Sequence, residues 1–382
     1  MKKYMKKFLS IFILGVLTFS LIACGEKKDN TKSTNGSKQV TKEATSKNKY
    51  ANKFSVEYLD NNVKLVTDGA DRKVLLVPKE GKKPEGYDNI PVIRTPIDNV
   101  LLCSTMQTSL IRPLDVYDSI KCVTKYNVNE GHIDEINKRM QKGDITYVGK
   151  IKALDYELIK SKKPEVAFII SVDVPKLAPK FDELGIPYIV ESSSLENHPL
   201  GRMEWIKFMS LFYNKEDIAD KHLKMAEETI TNVNNKLKGK DKTLVTAGVA
   251  YKGKFSVRRG GSYQGNMYPL AGGEYVFKDL DSKKGGAASI SFEDFYAKSV
   301  NADIYVYEAM TSSRPKTIND VVAEAPITEK MKAIKSGQVW ITQPWWSQSV
   351  DKLHEIIEDL AAICHPEEFK DHKIQHYHKL EK

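Results

Sequence analysis

The 382-residue chain lacks the short motifs that usually mark a catalytic centre. After the polar N-terminal region there is no G-x-S-x-G, H-E-x-x-H, P-loop or C-x-x-C pattern. One Ser-x-x-Lys match, Ser46 to Lys49, lies in a segment too polar to build a site. We therefore expect a protein that is not an enzyme, with an anchored hydrolase as the alternative from another class.

Cysteine is scarce, and its placement argues against a disulfide framework. Cys103, Cys122 and Cys364 lie in apolar stretches, where a cysteine usually serves as a small buried hydrophobe. A Cys103–Cys122 bond would be possible in an exported protein, but spacing alone does not predict it. The fourth cysteine, Cys24, lies near the N-terminus.

The body of the protein has almost no excess charge of either sign. The formal net charge is +9, but residues 1–52 contain eleven lysines and three acids. The remaining residues have 48 basic and 47 acidic side chains. A phosphate-backbone binder needs a larger basic excess, so we expect no nucleic-acid partner.

The sequence has no hydrophobic run long enough for a permanent membrane span. A lysine-rich start precedes about sixteen largely apolar residues, whereas a spanning helix needs roughly 20. The run ends in Leu21-Ile22-Ala23-Cys24, which resembles the bacterial lipoprotein box. We therefore expect a signal peptide at 1–23, a lipid on Cys24 and a disordered tether at 24–52. This places the protein on the extracytoplasmic face of the cell membrane, held by its lipid.

Apolar runs then alternate with helical patterns, which predicts an α/β fold with mainly parallel sheets. The length favours two lobes, at 53–213 and 240–382. A spine helix is predicted between them at 214–239, with Asn214 as N-cap and one apolar stripe on Ala219, Leu223, Ala226, Ile230, Val233 and Leu237. The predicted strands are KVLLVP, NVLLCS, IKCVTKY, ITYVGK, EVAFIIS, PYIVES, TLVTAGVAY, EYVF, ADIYVYEA and QVWITQ.

The lipoprotein box, the tether and the two lobes with one long helix resemble the helix-spined substrate-binding lipoproteins of ABC importers for ferric siderophores, haem or cobalamin. Local stretches that share this resemblance are LDYELIKSKKPEVAFI, HPLGRMEWIKF, YPLAGGEYVFKDL and ISFEDFYAKSVNADIYVY. The resemblance implies a monomeric receptor that delivers its ligand to a permease and its ATPase. It also implies that one glutamate at a helix start in each lobe docks on the permease, and by position these are Glu157 and Glu293.

Ligands of parallel α/β lobes bind at the carboxyl ends of strands, so the loops after the predicted strands contain the candidate ligand contacts. Arginines suit carboxylates and tryptophans suit large flat ligands. Arg202 could equally neutralise Glu204, and one of Arg258 and Arg259 should face away. The candidates are Thr105, Tyr126, Arg202, Arg258, Arg259, Tyr263, Arg314, Trp345 and Trp346.

These cationic and aromatic loops favour an Fe(III) chelate of the siderophore type, with cobalamin or haem as alternatives on the same fold. No resident cofactor or metal is expected. Free-metal binding is a further alternative, but only His198 lies in a predicted cleft loop. The terminal histidines His372, His376 and His378 are interpreted as a solvated tail.

Overall fold

A computed structural model describes residues 43–46, 48–124, 131–309 and 314–382, all within one compact unit. The predicted signal peptide, Cys24 and most of the predicted tether lie outside the described residues, as does Tyr126. Across the part of the chain that is described, no helix is both long and apolar enough to span a membrane.

The described chain opens with a sheet that the sequence pattern did not predict as a separate unit. Its strands follow chain order, and all neighbours are antiparallel except the last two, which are parallel. The sequence pattern predicted only its fourth strand, and as part of a parallel sheet, so this interpretation was wrong. The strands are β1 (Glu43–Ser46), β2 (Ser55–Leu59), β3 (Val63–Thr67), β4 (Lys73–Pro78) and β5 (Val92–Thr95).

The N-terminal lobe is built on a five-stranded parallel sheet in the order β12-β11-β6-β7-β8. Its strands are β6 (Val100–Leu102), β7 (Ile120–Val123), β8 (Thr146–Tyr147), β11 (Val166–Ile170) and β12 (Tyr188–Glu191), with a small hairpin of β9 (Gly149–Lys150) and β10 (Ala153–Leu154). Its helices are α1 (Thr105–Ile111), α2 (Asp134–Lys142), α3 (Tyr156–Lys162), α4 (Val174–Leu184) and α5 (Pro199–Ser210).

Both faces of this parallel sheet are buried, as its apolar strands require. Successive side chains of β11 alternate between two cores: Val166 and Phe168 join the main core, whereas Ala167 and Ile169 join a second one. Cys103 and Cys122 are both buried in the second core, and no disulfide joins them. The possible disulfide is therefore absent, and burial raises the pKa of Cys122 to about 11.

The spine is one unbroken helix, α6 (Glu216–Lys236), which packs on α5 of the first lobe and on a C-terminal helix of the second. At 1.5 Å per residue it is about 31 Å long. The predicted apolar stripe is buried along its length. The predicted N-cap is wrong, because Asn214 is in the left-handed region at φ 53° and its side chain accepts a hydrogen bond from Lys64 instead.

The C-terminal lobe contains a seven-stranded mixed sheet, in which parallel strands β13, β15, β17 and β18 form the centre. Its strands are β13 (Thr243–Tyr251), β14 (Lys254–Arg258), β15 (Gly273–Tyr275), β16 (Ala287–Ile290), β17 (Ile304–Tyr307), β18 (Val339–Thr342) and β19 (Tyr377–Lys379). Its helices are α7 (Tyr263–Leu270), α8 (Phe292–Ser299), α9 (Ile318–Glu324), α10 (Lys332–Lys335) and α11 (Leu353–Cys364).

The terminal histidines do not form a solvated tail. The end of the chain adds β19 antiparallel to β18, and His376 is buried with its Nε2 3.2 Å from Glu355 Oε2. His372 Nε2 lies 2.6 Å from Asp359 Oδ1. The Asp359 carboxylate also accepts two backbone N–H bonds from this segment, so the terminus is part of the folded lobe.

The predicted tether also ends earlier than Asn52. Residues 49–53, here named the strap, cross the N-terminal lobe with their backbone N–H groups bound to buried carboxylates. Lys49 pairs with Glu227 of the spine at 2.9 Å, and Tyr50 stacks on His198 with ring centroids 5.0 Å apart. The folded body therefore includes residues that composition alone assigned to a flexible segment.

Candidate ligand site

A cavity of about 710 Å³ opens between the two lobes, within the size range of small-molecule sites. It lies where α1 and α5 of the first lobe face α7 and the start of α11 in the second. The first lobe and the strap contribute Lys53, Thr105, Met106, Ser194, Leu195, Glu196, Asn197 and Arg202. The second lobe contributes Arg258, Tyr263, Gln264, Gly285, Gly286, Trp346, Ser347, Val350 and Leu353.

Arg202 is the unusual cation of this cavity. It lies in the second turn of α5, is 5 % exposed and has no carboxylate within ion-pair distance among the described residues. Its Nη2 donates to the Met106 sulfur at 3.3 Å, and the guanidinium lies 3.9 Å from the centre of the Tyr263 ring. Its Nε has no hydrogen-bond partner within the described chain. The expected alternative, an Arg202–Glu204 pair, is wrong because Glu204 binds the strap instead.

Arg258, at the end of β14, faces the cavity with its charge already balanced. Its Nε donates to Glu308, and Tyr268 donates to the other carboxylate oxygen at 3.1 Å. Tyr275 donates to the Arg258 backbone carbonyl at 2.9 Å, which fixes the strand end. Because the buried Arg258–Glu308 pair is neutral overall, Arg202 contributes more net positive charge to the cavity.

An aromatic wall continues from Arg202 into the second lobe. The Tyr263 ring contacts the Arg202 guanidinium and also packs on Trp346, with the two ring centroids 6.3 Å apart at an interplanar angle of 30°. The Trp346 indole N–H donates to the Tyr377 hydroxyl at 3.2 Å, so its orientation is fixed by the C-terminal strand. The wall gives a flat ligand a rigid apolar surface.

Five of the nine predicted contacts line the cavity, namely Thr105, Arg202, Arg258, Tyr263 and Trp346. Arg259, Arg314 and Trp345 are described but do not line it. Arg259, the residue after β14, pairs with Asp281 at 2.9 Å and donates to the carbonyl of Gly285 at 3.2 Å, so it supports the lining without being part of it. Arg314 donates to the Ala309 carbonyl, and Trp345 is 37 % exposed beside His132.

Several cavity residues were absent from the sequence-based set. Asn197 lies in a loop and Gln264 in the first turn of α7, both in stretches that were predicted to be cleft loops, but their neutral side chains gave no signal. Gly285 and Gly286 form a turn in which a Cβ on Gly285 would lie 2.6 Å from the Asn197 side chain, so a Gly-Gly pair was a readable sign of close approach. Lys53 was predicted to be the first residue of the N-terminal lobe, directly after the tether.

The comparisons with known proteins agree with this fold. The family model described as periplasmic binding protein matches residues 114–344, which is more than half of the chain. The chain belongs to the periplasmic binding protein family. An uncharacterized lipoprotein of Methanocaldococcus jannaschii is 30% identical over 98% of this chain and 97% of its own length.

Solved structures share the fold of this periplasmic binding protein. CeuE of Helicobacter pylori in complex with Ni-His has a TM-score of 0.57 and 20% identity, covering 73% of this chain and 86% of its own. A periplasmic haem-binding protein from Pseudomonas aeruginosa has a TM-score of 0.56 and 12% identity, covering 70% and 93%. At these identities the likeness shows the fold.

Among the described residues that line the cavity of this periplasmic binding protein there is one carboxylate, Glu196, and no histidine or cysteine. In the described ranges, no three His, Cys, Asp or Glu side chains are grouped to hold an ion. His198 caps α5 by accepting the Leu200 N–H at 3.2 Å, and burial lowers its pKa. It lies outside the cavity lining, against Tyr50.

The two predicted docking glutamates occupy equivalent places in the two lobes. Glu157 lies in the first turn of α3 and Glu293 in the first turn of α8, and both are exposed. Each helix is capped by the residue before it, Asp155 or Ser291, whose side chain accepts a backbone N–H. Neither glutamate is needed as a cap, so both carboxylates are free to meet a partner.

Proposed function

We propose that this periplasmic binding protein captures an anionic metal chelate of the ferric siderophore type and delivers it to an ABC permease. It does so while anchored by a lipid on Cys24 at the extracytoplasmic face of the membrane, and it catalyses no reaction. The family supports a solute-binding role and a transporter partner, and the relative that is named a lipoprotein supports the anchor.

The observation that carries the proposal is the uncompensated guanidinium of Arg202 in a cavity large enough for a chelate. Keeping a cation buried without a carboxylate partner costs free energy, and an anionic ligand would recover it. The Tyr263–Trp346 wall adds a surface on which aromatic or planar chelate groups can pack. A chelate of net negative charge combines both properties.

We expect Arg202→Gln to weaken chelate binding roughly 10- to 100-fold, because a buried charge-assisted hydrogen bond is lost. Quenching of tryptophan fluorescence in residues 25–382, titrated with ferric citrate, a ferric tris-catecholate, haem and cobalamin, measures the affinities. Arg139→Gln is the control, since that arginine pairs with Asp118 and Glu135 at the surface of the first lobe and does not line the cavity. Equal affinities for wild type and Arg202→Gln would reject the proposed role of Arg202.

Haem is the second candidate, because a solved protein of the same fold binds haem and the Met106 thioether lies at the cavity. The Met106 sulfur accepts a hydrogen bond from Arg202, which disfavours it as an iron ligand. Tight binding of haem with a methionine-type absorption spectrum, lost in Met106→Leu, would select haem over a siderophore.

The exposed glutamates predict how the loaded receptor meets its permease. We expect Glu157→Lys combined with Glu293→Lys to reduce chelate uptake at least tenfold, because two attractive contacts become repulsive. Binding of the chelate to the isolated double variant should be unchanged, which separates docking from capture. The control is Glu228→Lys, which reverses an exposed charge on the spine. Chelate uptake by the double variant at the wild-type rate would contradict the docking role.

A further inference from the structure

Beneath Arg202 lies a buried carboxyl group that neither the cavity lining nor the fold accounts for. Glu191 is the last residue of β12 and is 0 % exposed. Its Oε1 accepts the Ser193 N–H at 2.5 Å, whereas its Oε2 has no partner in the described chain. The Ser193 side chain, the charge of Arg202 and the Gln107 side chain each favour the ionised form of this carboxyl group.

The polar atoms around Glu191 are unusually poorly satisfied. Gln107 Nε2, Ser193 Oγ and Arg202 Nε, like Glu191 Oε2, have no hydrogen-bond partner among the described residues. Gln107 uses its other amide atom to accept the Cys103 and Ser104 N–H groups. Four buried polar atoms without partners at one place are rare in a folded protein and indicate a group whose protonation or hydration matters.

The Arg202 guanidinium does not form an ion pair with Glu191 at 4.0 Å or less; it lies against Met106 and Tyr263, towards the cavity. Burial raises the pKa of the Glu191 carboxyl, and the Ser193, Arg202 and Gln107 side chains lower it to a smaller extent. A protonated Glu191 leaves the charge of Arg202 uncompensated and therefore available to an anion.

We propose that Glu191 is a positioning residue that binds a proton beneath Arg202, and that capture of an anion in the cleft is coupled to proton uptake at this carboxyl group. The coupling rests on the proposed function, because it requires an anionic ligand beside Arg202. It gives Glu191 a role in setting how affinity depends on pH.

The direction of the coupling follows from the charges. A bound anion neutralises Arg202 and so removes a cation that lowers the pKa of Glu191. Glu191 therefore holds its proton more tightly in the complex than in the free protein. By linkage, affinity is highest when Glu191 is protonated and falls with rising pH, by at most tenfold per pH unit for one proton.

Other groups near Glu191 leave this direction unchanged. Ile170, its partner on β11, is apolar, and Gln107 of α1 and Ser193 are neutral. Asp68 binds the neighbouring Val190 N–H at 3.0 Å, has Arg72 at 3.7 Å, and has a pKa that burial also raises. A variant of Glu191 alone therefore separates its proton from that of Asp68.

The test measures proton uptake calorimetrically, with ferric citrate as probe, in buffers of different ionisation enthalpy between pH 5 and 8. Wild type should take up as much as one proton per bound chelate and lose affinity with rising pH. Glu191→Gln should bind with less uptake and a flatter pH dependence, whereas Glu228→Gln should behave as wild type. Uptake that is zero in wild type, or equal in wild type and Glu191→Gln, would overturn the proposal.

A ligand-free measurement keeps this inference distinct from the proposed function. An acid whose folded pKa is raised destabilises the folded state as pH rises above its unfolded value of about 4.5. Glu191→Gln should therefore gain stability relative to wild type between pH 5 and 8, measured by urea unfolding. If no chelate binds while this gain is present, only the proposed function fails; if the gain is absent, the protonated Glu191 is rejected even where chelates bind.

Discussion

Replacing Glu204 with alanine is expected to destabilise the protein by about 3–5 kcal/mol, because three backbone N–H groups lose a charged acceptor. Glu204 Oε1 accepts the Lys49 N–H at 2.8 Å, and Oε2 accepts those of Tyr50 and Ala51 at 2.7 Å each. The carboxylate is 1 % exposed, so water does not readily replace it at these donors. The strap should then detach from α5.

Two measurements separate loss of the strap from general damage. The free energy of unfolding, measured with urea, should fall in Glu204→Ala and fall less in Glu204→Gln, which keeps one acceptor oxygen. In Glu228→Ala, on the exposed face of the spine, it should stay within about 0.5 kcal/mol of wild type. Trypsin should also cleave earlier after Lys49 or Lys53 in Glu204→Ala. A stable Glu204→Ala protein with unchanged cleavage would show that these bonds contribute little.

The strap lies close to the backbone of α5. On α5, a Cβ at Gly201 would lie 3.0 Å from the Tyr50 carbonyl oxygen, so a glycine leaves room for the strap. Beside it, Glu196 accepts the Asn52 and Lys53 N–H groups at 2.9 and 3.0 Å while lining the cavity. The segment that leads from the tether is thus physically continuous with one rim of the ligand cleft.

The parallel sheets and the spine could be predicted from sequence because their signals are local. Each predicted strand run contains a strand, and the apolar stripe of α6 repeats at helical spacing along a single segment. The first sheet gave a weaker signal, since β3 includes Lys64. That lysine is buried with its Nζ 3.2 Å from the Leu211 carbonyl oxygen, a partner 147 residues away that no local pattern reveals.

The site was predicted in outline because loops after parallel strands converge, but not in its charge balance. The sequence shows Arg258 and Glu308 as separate charges, and only the fold brings the end of β14 and the residue after β17 together so that they pair. Conversely, Arg202 has an acid two residues away in sequence, yet the helix directs Glu204 to the strap and Arg202 to the cavity. Which cation is free is thus decided by contacts distant in sequence.

Breaking the Arg112–Asp351 pair should have an effect of similar size, because this pair joins the two lobes. Arg112, directly after α1, binds Asp351 through Nε at 2.7 Å and Nη2 at 2.5 Å. Asp351 precedes α11, and its backbone carbonyl also lies 2.8 Å from His222 Nε2 on the spine. Three parts of the molecule therefore meet at one bidentate contact beside the cavity.

We expect Arg112→Ala to cost about 3–5 kcal/mol, since it leaves the Asp351 carboxylate buried without its cation. Removing both partners in Arg112→Ala with Asp351→Ala should recover part of this loss. Arg139→Ala is the control, because that arginine pairs with Asp118 and Glu135 inside one lobe and at the surface, where such pairs contribute about 1 kcal/mol or less.

The lobes themselves provide the decisive measurement for this contact. If the pair restrains them, Arg112→Ala should show a larger radius of gyration in X-ray scattering without ligand, and weaker chelate binding because part of the binding free energy is spent on closing the cleft. Saturating ligand should restore the wild-type radius. If Arg112→Ala lowers stability while the radius of gyration and the affinity stay unchanged, the pair stabilises the fold without restraining the lobes. The cleft would then be fixed by the spine and by the hydrogen bond from Asn266 Nδ2 to the Asn197 carbonyl at 2.9 Å.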